Sequence, residues 1–465
     1  MGALSGASSF SGYGFRSVCH QISFSKGATY TIWVSFVPRV VIREIDEDPK
    51  DTILHIFEEF ENVGNKLSKS ERVFIKINAV DFRKGCYTSP EILDAAIRAI
   101  REHGVRRIYV MDNSTQGNFT RLVFHATGII DVVKKNGAKP LYLDEEKSIK
   151  VSIGGNGYEV DFPRVLYEAL IKNREGNFYL NLPKLKTHTM TTVTLGMKNQ
   201  MGLLYHDDRR IHHNAMELHK LIVDIYEFVR PDFTIIDGKV AIVNGHYPLE
   251  ARLDKYIIPM NILIGGDDTV AVDAVGARVL GYTMEEVEHL KIAHERGLGC
   301  ADLEKIEVVG DLSRFREKYP HMFIGTFPSD VKIVEGKEQA CIEGCKGNTL
   351  MVLEMLHVDY GGHGPFSIVF GKGIDRGDLE DLPTPIMVVG PCAVDEVGAY
   401  LQEKYGRKNV VLIRFCNDLA AVTDTLLKFM GIKATRVVPM SPLKVIFLWI
   451  LSKLHGSRAH IPSIF

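Results

Sequence analysis

The stretch 72–111, RVFIKINAVDFRKGCYTSPEILDAAIRAIREHGVRRIYVM, decides the fold. Arg72–Asn78 is a β-branched, apolar run and reads as a strand. Ser89-Pro90-Glu91 supplies a hydroxyl N-cap and a proline at the first helical position. The helix it opens runs to Glu102 and stops at Gly104. Arg107–Met111 is a strand again. A strand, a helix and a strand in succession form a right-handed crossover unit of a parallel sheet.

The alternation extends both ways. Arg39–Ile45, Pro140–Leu143, Phe178–Leu182, Phe233–Asp237, Asn261–Gly265 and Lys305–Val309 read as strands. Thr52–Asn65, Thr120–Lys135, Val165–Lys172, Met216–Phe228, Thr269–Leu280 and Glu285–Glu295 read as helices. A second block follows, with strands at Ser367–Phe370, Ile386–Val389 and Val410–Arg414 and helices at Gly344–His357, Val394–Tyr405 and Leu419–Met430. The expected class is α/β: a mainly parallel sheet with helices on both faces, plus a second, smaller α/β domain with a cysteine cluster. The expected boundaries are a poorly ordered extension at 1–37, a ligand-binding domain at 38–312 and a connector at 313–337. A cysteine-bearing domain at 338–436 and an apolar C-terminal tail helix at 437–465 complete the chain.

Composition removes several function classes. Of 465 residues, 56 are basic and 58 acidic, so no basic field argues for nucleic acid. The 45% hydrophobic share excludes a wholly disordered chain. Seven cysteines are too sparse for a disulfide framework, which suits a cytoplasmic protein. No apolar run reaches the roughly 18 residues of a membrane span. The longest candidate, Val445–Leu451, lies between Lys444 and Lys453. It reads as a packed or homodimerising terminal helix, with a membrane-surface contact as the alternative. The Ser- and Gly-rich first 37 residues carry no acid and lack a secretory pattern, although Tyr30–Phe36 could add an edge strand.

Ligands of open parallel sheets bind beyond the carboxyl ends of the strands. Those ends carry Lys76 and Asn78, then Asp112, then Asn181, then Asp237. Lys76 stands inside an apolar strand, and a buried ammonium needs an anionic ligand, Asp112 or Asp237 beside it. The segment Asn181–Gly202, NLPKLKTHTMTTVTLGMKNQMG, adds Lys184, Lys186, His188, Lys198 and Asn199 among five threonines. Lysines, hydroxyls and free amides suit a small anionic substrate or cofactor. Lys76, Lys186 and His188 are the expected catalytic groups. Asn78, Asp112, Lys184, Lys198, Asn199, Asp237, Asp268 and Asp273 are the expected binding groups. Asp268 also suits an N-cap, and Asp273 either reaches the cleft or pairs with Arg278. His206, His212, His213 and His219 fit no metal-ligand spacing and read as a solvated loop and helix start.

Together these residues resemble the family catalogued as domain of unknown function 362. The matching elements are Lys76-Ile-Asn78, Pro183-Lys-Leu-Lys186-Thr-His188, Met197-Lys198-Asn199 with Gly202, Ile236-Asp237-Gly238 and Asp268-Thr-Val-Ala-Val-Asp273-Ala, in the family's order over roughly residues 38–310. The resemblance implies a shared α/β domain, often accompanied by iron–sulfur cysteines. It implies no settled reaction, and the ferredoxin-type run of close cysteines carried by some relatives is missing here.

Four cysteines fall in the last third: Cys341, Cys345, Cys392 and Cys416. Cys392 and Cys416 each follow a strand, so parallel strands would put both on one sheet edge, where a cysteine pair at a helix start can face them. Helix N-terminal amides would favour thiolates there. Four thiolates suit an iron–sulfur cluster, 4Fe-4S before 2Fe-2S, with zinc as the alternative. The leading functional expectation is an iron–sulfur or other thiolate-metal protein with an anion-binding cleft and a redox partner protein, in electron transfer or reductive chemistry; if it is an enzyme, the expected class is oxidoreductase. The alternatives are a non-redox racemase or isomerase working through His188 with a structural metal site, and a metal or cluster carrier without turnover. No glycine-rich dinucleotide fingerprint and no P-loop is present.

Overall fold

The computed structural model describes residues 17–23, 29–35, 37–155, 157–322 and 325–462. The first domain is built on strands β1 (Arg39–Glu44), β2 (Arg72–Ile77), β3 (Arg107–Asp112), β4 (Lys139–Tyr142), β5 (Asn177–Leu182), β6 (Lys184–His188), β7 (Phe233–Ile242), β8 (Ile257–Gly266) and β9 (Glu307–Val309). Their order across the main path is β9-β1-β8-β7-β5-β2-β3-β4, with β6 beside β7. All neighbours run parallel except β8, which is antiparallel to both β7 and β1. The expected mainly parallel α/β sheet is therefore present.

Consecutive burial along β2 follows from cover on both faces. Val73, Ile75 and Ile77 pack on one side with the helices Pro49–Glu58 and Pro90–Glu102. Phe74 points to the other side, toward the helices Leu218–Phe228 and Thr269–Val279. Alternation puts Lys76 on the Phe74 side. The chain leaves β2 for β3 and β4, then returns to β5 on the opposite flank of β2. That reversal opens a crevice at the carboxyl ends of β2 and β5.

Several expected elements shift for identifiable reasons. The helix expected at Thr52–Asn65 is two helices, Pro49–Glu58 and Glu61–Ser68. Phe60 between them turns extended, and its ring packs edge-on at 4.9 Å against Phe233. Thr120–Lys135 breaks at Gly128, whose φ of 75° no helix interior accepts. A hairpin, Ser148–Ile153 with Tyr158–Pro163, lies outside the expected alternation. Thr29–Ser35 pairs with Ser17–Ser23 rather than with the main sheet, correcting the edge-strand expectation. The remaining expectations for 1–36 lie outside the described residues.

The second domain is a four-stranded parallel sheet in sequential order: β10 (Val331–Glu335), β11 (Phe366–Phe370), β12 (Ile386–Val389) and β13 (Val410–Ile413). β10 falls inside the stretch expected to be a connector. The helices Cys345–Tyr360 and Leu419–Phe429 cover one face. The tail forms the helix Pro442–Leu454, with Val445 and Leu448 packed against Phe119 and Leu122. The chain then straps back over the first domain. Ser457 Oγ donates to Asp144 Oδ2 at 2.7 Å, Arg458 pairs with Asp161 at 2.5 Å, and His460 N donates to His206 Nδ1 at 2.9 Å. Among the described residues, no helix is long and apolar enough to cross a membrane.

Candidate functional site

Lys76 emerges at the end of β2 fully buried. Its Nζ meets Asp112 Oδ1 at 2.7 Å and donates to the Ile77 carbonyl at 2.7 Å. Of the partners considered from sequence, Asp112 is the one it has. Burial lowers the lysine pKa, and Asp112 opposes that shift. Asp112 also accepts from the amides of Ala79 and Asn113 at 2.5 and 2.7 Å, so the pair is a saturated floor. A Cβ on Gly202 would come within 2.4 Å of Asp112 Oδ1 and 2.6 Å of Lys76 Nζ. Only glycine lets the backbone lie over that pair.

Lys186 lies on β6 and has no carboxylate partner among the described residues. It donates to Asn78 Oδ1 at 2.7 Å and to the Cys86 carbonyl at 2.9 Å, and burial lowers its pKa to about 8. Asn78 in turn donates to Asn199 Oδ1 at 3.0 Å. Lys198 comes from the short helix Leu195–Asn199, and burial together with Lys186 and Arg209 lowers it to about 7. Asp273 grips the N-terminus of that helix, accepting from Gly196 N at 2.6 Å and Met197 N at 2.8 Å. Asp273 thus positions Lys198 and Asn199 and does not pair with Arg278, which donates to the Phe315 carbonyl.

These groups line a cavity of about 750 Å³, open solvent at its mouth included. Its walls hold Lys76, Lys186, Lys198 and Arg209 against a single carboxylate, Asp112. Arg209 donates to three backbone carbonyls, of Leu204, Asn113 and Ser114, and burial lowers it to about 10. His188 stacks on His246 with ring centroids 3.8 Å apart. Burial holds both imidazoles well below their ordinary pKa, helped at His188 by His246 and Lys198 and at His246 by Lys186 and Lys198. His188 Nδ1 accepts from Met190 N at 3.1 Å, which puts the ring proton on Nε2.

Three of the expected binding carboxylates and one lysine are elsewhere. Lys184 and Asp237 form a separate buried pair at 3.0 Å, and Asp237 Oδ2 also accepts from Ser89 N at 2.7 Å. That pair anchors the start of the helix Pro90–Glu102 and does not line the cavity. Asp268 caps the helix Thr269–Val279, accepting from Val270 N and Ala271 N. Asp273 acts through backbone amides, as described. Of the four histidines read as a solvated loop, His206 is buried between the Ser114 carbonyl and His460 N, and His213 lines the cavity. Sequence reading missed Arg209, His246, His213, Gln116 and Tyr247 as wall residues. The run of histidines and arginines at 206–213 was the one signal available.

The four cysteines do come together. Gly344 starts the helix that carries Cys345, Gly390 precedes Cys392, and Cys416 follows β13. β12 and β13 are parallel, so Cys392 and Cys416 share one sheet edge. A Cβ on Gly390 would lie 3.1 Å from Cys345 Sγ. Burial, then the neighbouring thiols of Cys416, Cys341 and Cys392, push Cys345 up to about 12; burial, then Cys392, Cys341 and Glu217, push Cys416 up to about 11. That direction is opposite to the thiolate preference expected from helix amides: desolvation outweighs the helix terminus. Among the described residues, no three His, Cys, Asp or Glu side chains converge on one ion. A zinc tetrahedron with bonds of about 2.3 Å needs such convergence, whereas a cluster spreads its thiolates more widely. Four cysteines on neighbouring glycine-rich turns are a donor set that either a cluster or zinc would draw on.

The cluster of thiols abuts the cavity. His213 Nδ1 bonds the Glu343 carbonyl at 2.7 Å, and Gln116 Nε2 donates to the Asn417 carbonyl at 2.8 Å. Asn348 Nδ2 donates to Asn417 Oδ1 at 2.5 Å, and both asparagines line the cavity. A buried pair, Arg83 with Asp359 at 2.7 Å, clamps the two domains.

Comparison with known proteins places this geometry. The chain is 26% identical over 234 residues to the thylakoid-associated protein sll1697 of Synechocystis sp. (strain ATCC 27184 / PCC 6803 / Kazusa), covering 48% of this chain and 68% of that protein. The cysteine-bearing domain lies beyond the family match, and every cationic wall residue of the cavity lies within it. Residues 73–278 match the model of the family described as "Domain of unknown function (DUF362)".

Proposed function

We propose that the chain is an iron–sulfur protein whose cysteine domain faces an anion-binding cavity, working in electron transfer or reductive chemistry on a small anionic substrate or cofactor. One observation carries the reading. Asn348 and Asn417, close in sequence to Cys345 and Cys416, are walls of the lysine cavity. A 4Fe-4S cluster held by Cys341, Cys345, Cys392 and Cys416 would supply one-electron chemistry at the edge of that cavity. The chain's own residues do the rest. Lys186, Lys198 and Arg209 bind and orient the anion. The Lys76–Asp112 pair fixes the floor. His188 stays neutral and presents its Nε2–H as a hydrogen-bond donor.

A second reading is favoured by Lys198, which burial brings to about 7. A lysine poised at neutral pH beside a neutral histidine suits proton transfer, as in an isomerase or racemase, with the cysteines as a structural metal site.

We propose further that the protein is cytoplasmic and works at a membrane surface. Support comes from the name of the Synechocystis relative and from the outer face of the helix Pro442–Leu454, where Leu443, Phe447 and Leu454 are 82%, 63% and 79% exposed.

The deciding experiment uses protein purified without oxygen. Iron, acid-labile sulfide and zinc are quantified per chain, alongside a visible spectrum. Iron and sulfide in equal amounts, lost together in Cys345→Ser and Cys416→Ser, support the cluster. Zinc, or colourless protein without iron, overturns it and leaves the acid–base reading.

A further inference from the structure

A second cavity, about 880 Å³ with the solvent at its mouth included, lies against the cationic one. Thr115, Gln116, Tyr247 and Leu419 line both, so one layer of side chains separates them. Its character is the opposite. Phe119 and Leu122 of the first domain, Met351 and Met355 of the cysteine-bearing helix, Leu427, and Val445 of the tail helix form its walls.

The few charged groups on that wall are already satisfied. Arg83 is paired with Asp359 at 2.7 Å and donates to the Pro248 carbonyl at 3.1 Å. Asp81 accepts from Asn118 Nδ2 at 2.6 Å and from Arg83 N at 2.8 Å. Nothing there is left over to hold an anion, whereas apolar surface is. In the partition, Gln116 spends its Nε2 on the Asn417 carbonyl and keeps its buried Oε1 without a partner among the described residues.

We infer that the two cavities form one amphipathic site: a ligand with an anionic head and an aliphatic chain places the head among Lys186, Lys198 and Arg209 and the chain between Phe119, Met351 and Met355. The inference rests on the anion-binding reading above and extends it from a small anion to a single-chain amphiphile. The thin wall that the two cavities share selects this occupant. A purely ionic ligand leaves the apolar chamber facing water, and a purely apolar one leaves three unneutralised cations buried. The chamber is also roofed by the tail helix whose other face is the exposed apolar one, so a chain arriving from an apolar phase has a short path.

The probes are sulfate and a series of n-alkyl phosphates from methyl to dodecyl, kept below micelle formation, titrated calorimetrically into the full chain. Affinity should rise about fourfold per methylene while the chain is entering the chamber, then level off. Met355→Trp fills the chamber; it should abolish the rise while leaving sulfate and methyl phosphate within twofold. Lys186→Gln should weaken every member of the series.

An affinity independent of chain length overturns the inference and leaves the anion cavity standing. A rise that survives in Met355→Trp places the chain elsewhere and also overturns it. Absence of binding for sulfate and all alkyl phosphates overturns the anion cavity itself. Should the tryptophan variant not fold, the chain-length series on the unaltered protein decides alone.

Discussion

Anion binding in the cavity should weaken steeply as pH rises. Lys198 and Lys186 have pKa values lowered by burial to about 7 and about 8, and among the described residues neither has a carboxylate partner. An anion binds the protonated lysines, so each loss of a proton removes attraction. The imidazoles of His188 and His246 are held well below their ordinary range and stay neutral throughout. Arg209, at about 10, stays charged. If both ammonium groups are required, raising the pH from about 6 to about 9 costs roughly hundredfold through Lys198 and roughly tenfold through Lys186. Sulfate is the right probe, because its own charge is constant over that range. Isothermal titration at fixed ionic strength gives the profile, and fixed salt keeps screening from imitating it. Lys198→Met should leave only the shallower Lys186 dependence. A sulfate affinity that is flat or rises with pH refutes the assignment of these lysines as the anion's partners.

Four further outcomes follow from the same geometry. Gly202→Ala drives a methyl into the buried Lys76–Asp112 pair; it should destabilise by about 3–5 kcal/mol in urea unfolding, and a loss under about 1 kcal/mol contradicts the packing described. Asp273→Asn keeps one acceptor for two amides, so about 1–3 kcal/mol of stability and roughly tenfold of sulfate affinity should go, the second because Lys198 moves. Without anion, stability should rise between about pH 7 and about pH 9: the folded lysines have pKa values below the ordinary one, so the unfolded chain binds more protons there, and saturating sulfate should flatten that rise. Phe447→Glu should reduce flotation with anionic vesicles while leaving the urea midpoint unchanged, since that side chain is 63% exposed; unchanged flotation removes the membrane-surface proposal.

The sheet was legible because its strands are continuous apolar runs broken by Gly, Pro and capping residues, signals that survive without tertiary context. Lys76 was legible for the same reason: a lysine inside RVFIKIN contradicts its surroundings. Asp237 and Asp268 were expected in the cleft and stand outside the cavity wall, because a strand-end carboxylate looks alike in sequence whether it binds a ligand, neutralises Lys184 or caps a helix. The difference lies in a partner that arrives from elsewhere in the chain, as Lys184 arrives beside Asp237 through the pairing of β6 with β7. His246 and Arg209 escaped because they come from loops and a short helix whose place on the cavity wall depends on long-range packing. The strap at 457–460 escaped too: its contacts with Asp144, Asp161 and His206 join residues some 250 to 310 positions apart.

The signature's lysines divide by their partners, and that division identifies the site more firmly than their number does. Lys76 and Lys184 each face one carboxylate, at 2.7 and 3.0 Å, and are electrically closed. Lys186 and Lys198 are not, and Arg209 spends its donors on neutral carbonyls. Among the described residues, three cations without a carboxylate of their own therefore face one cavity. Burying like charges together is costly, and protein interiors avoid it unless a counter-charge arrives. Burial is the main cause of the downward shifts of Lys186 and Lys198, and for Lys198 the neighbouring Lys186 and Arg209 add to it. A ligand with two negative charges removes most of that cost; a monoanion leaves the lysines competing for protons. The cavity should accordingly prefer sulfate or an alkyl phosphate dianion over acetate. Equal affinity for acetate and sulfate near pH 7 would mean that the lysines discharge one another by losing protons rather than by gathering an anion, which is the state the acid–base reading requires.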